Sequence, residues 1–462
     1  MRSGSVLLLG LLLPGLLHAQ ARLVAEPRLA REILAELVGT DTTAEHGDTT
    51  PAAEALAKRF LAAGFPAADV QVLGPGPKHR NLVVRYRGRG QARPILFLDH
   101  LDVVEALPSD WTRPPFQLTE ADGWLYGRGT QDIKGEGALQ AATFLALRRA
   151  GFVPARDLIL ALTTGEESGL PYNGVQWLLK EHRELVDAEF CLNGDGGGPV
   201  ARAGVPRFRA LQTSEKASRM LTLEVTDPGG HSSLPRKANA IHILAAGLAR
   251  LDAFRFPVHL DETRRAFFAR MAGVEGGATG RDMAAVAREG KDGEASDRLS
   301  ADPYWNAQLR TTAVATQLSG GHAPNALPQT ARAVVNCRIL PGETLAETEV
   351  AVIKALADPR ITVKRGPRDG EAPASALRPD VLAALERSTE AVWPGCPVIP
   401  AMETGGTDGT AFRLAGIPTY GVSCIPIDQD DVRAHGRDER IRVRNFEEGL
   451  RAFELLVRAL AE

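Results

Sequence analysis

Histidine and carboxylate side chains recur along the chain directly after apolar runs or in glycine-rich turns. The set is His100, Asp102, Asp132, Glu166, Glu167, Asp195 and His435. Because ligands of open α/β sheets bind beyond the carboxyl ends of the strands, we expect these scattered residues to converge on one crevice. Imidazole and carboxylate are the groups that zinc accepts when cysteine is absent, and a carboxylate between two ions can bridge them. The pattern predicts a metal centre that can hold two ions.

Two parts of this pattern have an alternative interpretation. A Glu-Glu pair is often a solvated surface turn, but Glu166 and Glu167 follow an apolar run, which favours a site. The glycine-rich run 194–198 could cradle a phosphate, but it lacks a Walker lysine and a following helix signal. We interpret this run as a sharp turn around Asp195.

The elements that must position these side chains are visible as short apolar runs with the length of buried strands. These runs lie at 95–98, 158–162, 190–192 and 419–424. Helix-like segments separate the first three runs, and two more helices precede them between Arg28 and Gly64. This alternation predicts an α/β domain with a mostly parallel sheet flanked by helices.

The stretch 213–364 has a different pattern, in which alternating apolar segments and one long helical run favour an α+β domain. Its part 261–303 is rich in Gly, Arg, Asp and Glu, and we interpret it as helices and loops that elaborate this second domain. We therefore predict a catalytic domain of residues 22–212 and 365–462, into which residues 213–364 are inserted as a lid.

The first residues are typical of a targeting signal, with Arg2, an apolar run at 6–17 and small residues up to Ala21. We predict a signal peptide of residues 1–21 and a secreted or periplasmic mature protein. The alternative is a membrane anchor, but about twelve apolar residues interrupted by Pro14 are short of the roughly 20 that a spanning helix needs. We expect no membrane span after removal of the signal.

Composition narrows the class of partner. The chain has 462 residues, enough for two domains, and its formal net charge of −3 provides no basic field for nucleic acid. We therefore expect a small-molecule partner and no nucleic acid. The cysteines Cys191, Cys337 and Cys424 lie in apolar runs typical of small buried hydrophobes, and whether any cysteines pair stays open. No CxxC pair is present, which argues against a cysteine zinc site.

Six motifs occur in an order that resembles metallopeptidase family 20. They are DHLDVV at 99–104, YGRGTQDIKG at 126–135, TTGEESG at 163–169, NGDGG at 193–197, PGGHSS at 228–233 and AHGRDE at 434–439. This family includes glutamate carboxypeptidase, aminoacylases, succinyl-diaminopimelate desuccinylase and carnosinase-like dipeptidases. The resemblance implies a zinc-exopeptidase-like catalytic domain with an inserted lid and dimerisation domain, and a homodimer formed through that lid.

The resemblance also implies the ligands of two Zn²⁺ ions, which Co²⁺ or Mn²⁺ could replace. His100 and Asp195 are expected to bind one ion, Glu167 and His435 the other, and Asp132 to bridge them. In the family a cis peptide bond follows the bridging aspartate. We therefore expect a cis bond after Asp132.

Further roles follow from the same resemblance. Glu166 is expected to act as the general base, and Asp102 to accept the other ring N–H of His100 without binding metal. His231 is expected to reach across the dimer and polarise the scissile carbonyl. The expected substrate-binding residues are Arg338, which would grip a free carboxylate, Asn325, Gly405 and Gly406.

The chain departs from the family pattern at three positions. Gly165 replaces the common Asp before the Glu pair, and Ile133 replaces the Asp or Met after the bridging aspartate. Asp195 stands where family carboxypeptidases more often have Glu, which leaves the direction of trimming open.

The sequence therefore predicts a secreted di-zinc hydrolase that cleaves an amide bond in small peptides or N-acyl amino acids, in the manner of a carboxypeptidase. Within the class, the alternatives are an N-acyl amino acid amidohydrolase and a dipeptidase or aminopeptidase. Outside it, the alternatives are a binding protein that has lost the chemistry and, from the glycine-rich turns alone, a nucleotide-binding protein.

Overall fold

The computed structural model of the chain describes residues 23–167, 173–368 and 370–462. The predicted signal peptide and the last two residues of the motif at 163–169 lie outside the described residues. The helices are α1 (Pro27–Val38), α2 (Thr50–Ala62), α3 (Lys134–Arg149), α4 (Gly174–Glu181), α5 (Arg183–Val186), α6 (Ala240–Ala253), α7 (Glu262–Glu275), α8 (Gly277–Glu289), α9 (Glu294–Leu299), α10 (Pro303–Leu309), α11 (Leu345–Leu356), α12 (Pro379–Val392), α13 (Gly409–Leu414) and α14 (Val443–Ala461).

The strands belong to one large sheet, one four-stranded sheet and two small ones. They are β1 (Val70–Leu73), β2 (Asn81–Tyr86), β3 (Ile95–His100), β4 (Thr119–Ala121), β5 (Trp124–Tyr126), β6 (Leu158–Thr163), β7 (Phe190–Asn193), β8 (Gly198–Arg202), β9 (Val205–Glu215), β10 (Ala217–Thr226), β11 (Gly230–His231), β12 (Thr312–Gly320), β13 (Ala326–Leu327), β14 (Thr330–Ile339), β15 (Thr362–Arg368), β16 (Val398–Glu403), β17 (Thr419–Gly421), β18 (Ile427–Asp428) and β19 (Arg440–Arg442).

The large sheet has the order β1-β2-β6-β3-β7-β17-β9-β8-β18, and β16 pairs with β9. Its centre, from β6 to β17, is parallel, whereas several of the outer pairs are antiparallel. The strands β3 and β6 are buried along their whole length, so both faces of the sheet need cover. Helices α1, α2, α3, α12 and α14 cover one face, and α4, α5 and α13 cover the other. The predicted α/β class is confirmed, with a mixed rather than purely parallel sheet.

The four-stranded sheet has the antiparallel order β12-β14-β10-β15. Alternate residues of β14 are buried, because one face of this sheet packs on α6 and α11. In its register Ser218 of β10 lies opposite Arg338 of β14. This sheet is the α+β core that the alternating apolar segments predicted.

The stretch 261–303 is helical as predicted, but its packing differs from the expectation that it elaborates the second domain. Phe267, Phe268 and Met271 of α7 are fully buried against Ile399 and Ala401 of β16 in the large sheet. Helices α8 and α9 join the same core. Composition could not reveal this, because an apolar helix face fits either sheet equally well.

The chain consequently passes between the two sheets after β9, before α7, after α10 and after β15. Two buried hydrogen bonds link the first three passages. The guanidinium of Arg310 donates to the carbonyl oxygen of Phe256 at 2.8 Å, and Nζ of Lys216 donates to the carbonyl oxygen of Arg310 at 2.8 Å. These passages therefore lie side by side at the junction between the sheets.

Two sequence-based expectations concern the rest of the chain. All four cysteines lie within the described ranges and are unpaired, and Cys191, Cys337 and Cys424 are buried as expected. Among the described helices, none combines the length and the apolar character needed to span a bilayer.

Candidate metal centre and substrate cavity

His100 ends the central strand β3 and is buried. Its Nε2 lies 3.2 Å from Oδ1 of Asp132, in the turn before α3, and 3.9 Å from Oδ2 of Asp195, which follows β7. Its Nδ1 lies 2.8 Å from the carbonyl oxygen of Asp102. The ends of the neighbouring parallel strands β3 and β7 thus bring His100 and Asp195 together, and the turn before α3 adds Asp132.

Asp132 faces two imidazoles at once. While its Oδ1 faces His100, its Oδ2 lies 3.1 Å from Nε2 of His435, and that same nitrogen lies 2.7 Å from Oε1 of Glu167. The peptide bond between Asp132 and Ile133 is cis, as predicted.

The donor atoms of this cluster are spaced for metal ions. Three sets have ligand atoms within 4.8 Å of one another: His100 with Asp132 and Asp195, Asp132 with Glu167 and His435, and His100 with Glu166 and Glu167. The first two sets share Asp132, so its carboxylate lies where a bridging ligand would. Nitrogen and carboxylate donors without sulfur fit zinc and also related divalent ions.

Crowding of carboxylates gives the centre an affinity for cations. Burial raises the pKa of Glu166 to about 8; the charge of His100 opposes this rise, and those of Asp408 and Glu167 add to it. Burial also raises the pKa of Asp195. Mutual repulsion of buried carboxylates is relieved when cations bind among them.

A cavity of about 840 Å³ opens beside this cluster. Its wall includes Glu166 from the large sheet, Lys216 from the junction and Arg338 from the four-stranded sheet. The loop between β16 and α13 adds Gly406, while Gly405 is half-buried beside it. A substrate in this cavity would contact both sheets.

Comparison with known proteins identifies this arrangement. Residues 96–459 match the family described as Peptidase family M20/M25/M40. The chain belongs to peptidase family M20. Zinc dependence is a property of this family of metallopeptidases and amidohydrolases, so the chain is an enzyme of the metal-dependent hydrolase class.

Relatives and solved structures within the family support the assignment. Human N-fatty-acyl-amino acid synthase/hydrolase PM20D1 is 30% identical over 401 residues, 79% of this chain and 74% of that protein. Succinyl-diaminopimelate desuccinylase of Xanthomonas oryzae pv. oryzae is 29% identical over 419 residues, 88% of this chain and 92% of that protein. The M20 family metallo-carboxypeptidase Sso-CP2 of Sulfolobus solfataricus has a TM-score of 0.69 at 18% identity and covers 93% of this chain and 99% of its own. The fold class and the family inferred from the motifs are confirmed.

In this M20 enzyme Asp102 contacts different groups from those expected. Its carboxylate lies 3.9 Å from Nδ1 of His100, beyond hydrogen-bond reach, and its backbone carbonyl is the acceptor instead. The carboxylate accepts the backbone N–H groups of Gly165 at 2.8 Å, Glu166 at 3.3 Å and Glu167 at 3.0 Å. Gly165 has φ 82°, a left-handed conformation that glycine adopts without strain. Asp102 therefore fixes the turn that carries the two glutamates.

Glu439 is a residue of the M20 site that the sequence did not single out, although the motif at 434–439 contains it. It is fully buried and binds the guanidinium of Arg128 at 2.7 Å. Its carboxylate also accepts the backbone N–H groups of Gly129, Gln131 and Asp132. The signal that could have found it is a carboxylate four residues after His435, an expected metal ligand. Glu439 holds the turn that aims Asp132.

His231 and Asn325 lie together but apart from the cavity of their own chain. The backbone N–H of Ser232 donates to the carbonyl oxygen of Asn325 at 3.0 Å, and β11 pairs with β13 beside them. Both residues are exposed. Nδ1 of His231 contacts only its near neighbour Ser233 among the described side chains.

Proposed function

We propose that the chain is an exported di-zinc hydrolase that releases an amino acid from N-acyl amino acids or small peptides, by cleaving the amide bond to that amino acid. The observation that carries the proposal is the shared cavity, whose wall includes Glu166 of the metal cluster and the cation Arg338 of the four-stranded sheet. A substrate with its amide bond near Glu166 and its free carboxylate near Arg338 would match these charges. The names of two relatives, for fatty-acyl amino acids and for succinyl-diaminopimelate, describe N-acylated amino compounds.

Five side chains would hold the metal ions. We infer that His100 and Asp195 bind one ion, Glu167 and His435 the other, and that Asp132 bridges the pair. The support is the spacing of their donor atoms, since each oxygen of Asp132 faces a different histidine. Zinc is the proposed native metal, with cobalt or manganese as substitutes.

Amide hydrolysis needs a polarised carbonyl, a nucleophilic water and a proton for the leaving amine. When bound, the metal ions supply Lewis acidity at the carbonyl and at the attacking water. Glu166 accepts a proton from that water as its oxygen bonds to the carbonyl carbon. Glu166 then gives the proton to the amide nitrogen as the C–N bond breaks. Asp102 keeps the carboxylate of Glu166 in place by holding its backbone.

Arg338 would orient the substrate by its free carboxylate. A guanidinium donates two parallel hydrogen bonds to a carboxylate, so it fixes direction as well as position. The loop at Gly405 and Gly406 would form the facing wall, where the lack of side chains lets backbone N–H groups approach the ligand. Holding both ends would align the scissile bond with Glu166.

A mass-spectrometric screen would test the proposed reaction. The metal-loaded protein, expressed without residues 1–21, is incubated with a library of N-acyl amino acids, dipeptides and short peptides. We expect loss of a carboxyl-terminal amino acid from members with a free carboxylate. Release of the amino-terminal residue instead would favour the second candidate, a dipeptidase or aminopeptidase, which the aspartate at position 195 supports.

Substitution of Arg338 tests the carboxylate contact. Arg338→Ala is expected to lower kcat/KM by about 10²-fold or more for substrates with a free carboxylate, because two charge-assisted hydrogen bonds are lost. The matching carboxamides should lose much less. The control is Arg332→Ala, since Arg332 lies on the same strand but is exposed and bound to Glu224. Equal losses on acids and amides would show that Arg338 does not bind the carboxylate.

We infer further that the enzyme is a homodimer through its inserted domain and that His231 completes the site of the partner subunit. The support is the exposure of His231 and Asn325, neither of which is among the residues that line the cavity of their own chain. Co-expression of His231→Ala with Glu166→Gln tests this. Each variant alone should be nearly inactive, whereas mixed dimers would contain one intact site and restore up to about a quarter of wild-type activity. Failure to restore activity in isolated mixed dimers would contradict the inference.

A further inference from the structure

Lys216 occupies the single position between β9 and β10, where the chain first leaves the large sheet. It is 3% exposed, and its Nζ donates one hydrogen bond, to the carbonyl oxygen of Arg310. No carboxylate of the described part of the chain lies within ion-pair distance of its Nζ, and Glu343 acts on it only as a more distant charge. An ammonium group has three donors and is costly to bury unpaired. Two donors of Lys216 are therefore left for a ligand.

Arg338 projects towards the same space. It lies opposite Ser218, and Lys216 is two residues before Ser218. Opposed residues of an antiparallel pair share a face, so Arg338 lies on the face of the four-stranded sheet that Ser218 occupies. Both line the cavity that contains Glu166. Among the described residues, no hydrogen-bond or ion-pair partner faces the guanidinium of Arg338.

The acidic residues of the cavity do not neutralise these two cations. Glu215 is paired with Arg413 at 2.5 Å and also accepts hydrogen bonds from the loop after β16. Asp408 accepts from Asn173 at 2.5 Å. Glu166 lies with the metal-ligand cluster. The cavity thus has an acidic end at the metal centre and a cationic end at the junction.

We propose that Lys216 and Arg338 together bind the single free carboxylate of the substrate, so that Lys216 is a second specificity-determining cation. The inference rests on the proposed function and names a further residue of the same site. The guanidinium of Arg338 can donate two parallel hydrogen bonds to the carboxylate. The ammonium of Lys216 can donate to the remaining lone pairs of the carboxylate oxygens from another direction. Substrates without that carboxylate would leave a buried ammonium unpaired, which explains how the cavity would reject them.

The decisive measurement compares two compounds that differ only in charge, N-octanoyl-L-leucine and N-octanoyl-L-leucinamide. Lys216→Met replaces the ammonium with an apolar group of similar length. It should raise KM for the acid about tenfold or more, the loss expected for a charge-assisted hydrogen bond, and change KM for the amide little. Lys216→Arg should retain most of the preference for the acid.

Lys364→Met is the matched control, because Lys364 of β15 is exposed, is paired with Glu224 at 2.7 Å and is not among the residues that line the cavity. It should leave both KM values unchanged. Equal effects of Lys216→Met on acid and amide, or no effect on either, would overturn the proposal even if the wild-type enzyme is active.

Calorimetric binding of the two compounds separates this proposal from the proposed reaction. The wild-type protein should bind the acid more tightly than the amide, and Lys216→Met should abolish the difference, whether or not turnover occurs. If the screen finds no hydrolysis while this binding difference holds, the proposed function fails and the carboxylate site stands. If hydrolysis occurs but the wild-type protein binds acid and amide equally well, the carboxylate site is contradicted and the proposed function stands.

The pH dependence gives an independent test. Burial lowers the pKa of Lys216 to about 7; the charges of Arg264 on α7 and Arg338 on β14 add to this, and that of Glu343 before α11 opposes it. The ammonium of the free enzyme therefore loses its proton as the pH rises through about 7. The ratio of kcat/KM for acid over amide should fall over that range. The same fall in Lys216→Arg, which stays protonated, would contradict the assignment.

Discussion

Glu166→Gln is expected to lower kcat by about 10²–10⁴-fold while both metal ions stay bound. The amide preserves the size of the side chain and cannot accept a proton from water. Its backbone N–H is held by Asp102 whatever the side chain is, so the turn should keep its shape. The measurement is kcat together with the metal content per chain from mass spectrometry.

The adjacent glutamate supplies the comparison. Oε1 of Glu167 lies 2.7 Å from His435, whereas Glu166 lines the substrate cavity. Glu167→Gln should therefore lower the metal content as well as the rate. Loss of metal in Glu166→Gln with retention in Glu167→Gln would mean that the two roles are exchanged.

Removal of metal by a strong chelator is expected to abolish turnover, and added zinc, cobalt or manganese to restore it. The physical reason is that the carboxylates of Asp132, Glu167 and Asp195, with the imidazoles of His100 and His435, are spaced as metal ligands. Thermal unfolding provides a second readout, because an ion that binds only the folded chain stabilises it by about 2.7 kcal/mol at a hundred times its Kd. We therefore expect a rise in Tm when zinc is returned.

Asp132→Ala is the matching control for this experiment. It removes the carboxylate shared by two donor sets and should reduce the rise in Tm as well as the activity. Full turnover by rigorously metal-free protein would contradict the metal centre altogether.

The sequence predicted the central strands and part of the site, because these depend on patterns within short stretches of chain. The apolar runs at β3, β6 and β7 were found because strands buried on both faces must be apolar throughout. The convergence of His100 and Asp195 followed from the rule that side chains after parallel strands meet at one edge, whereas Asp132 and His435 reach the same place from loops. The order of the six motifs along the chain then supported the metal site, which no single residue could establish.

Other parts depend on long-range contacts that no local pattern contains. The helices from α7 to α9 have an apolar face, but only the folded chain shows that it covers β16. The carboxylate of Asp102 binds the backbone of the turn after β6, with Gly165 63 residues along the chain, rather than the ring of His100. Lys216 was missed because a lysine between two strands is ordinarily a solvated residue, and its burial depends on Arg310, far along the chain.

The packing of α7 on β16 also bears on the order in which the newly made chain can fold. All strands of the four-stranded sheet lie within residues 217–368, so this sheet can form before the last part of the chain is synthesised. The large sheet must wait for β16 and β17, and α7, which also packs on α8 and β9, lacks its contact with β16 until that strand arrives. Chains fold from their N-terminal end as they emerge, and unpartnered apolar faces promote aggregation. A chain truncated before residue 398 would therefore retain every strand of the four-stranded sheet, lack His435, and expose the part of α7 that packs on β16.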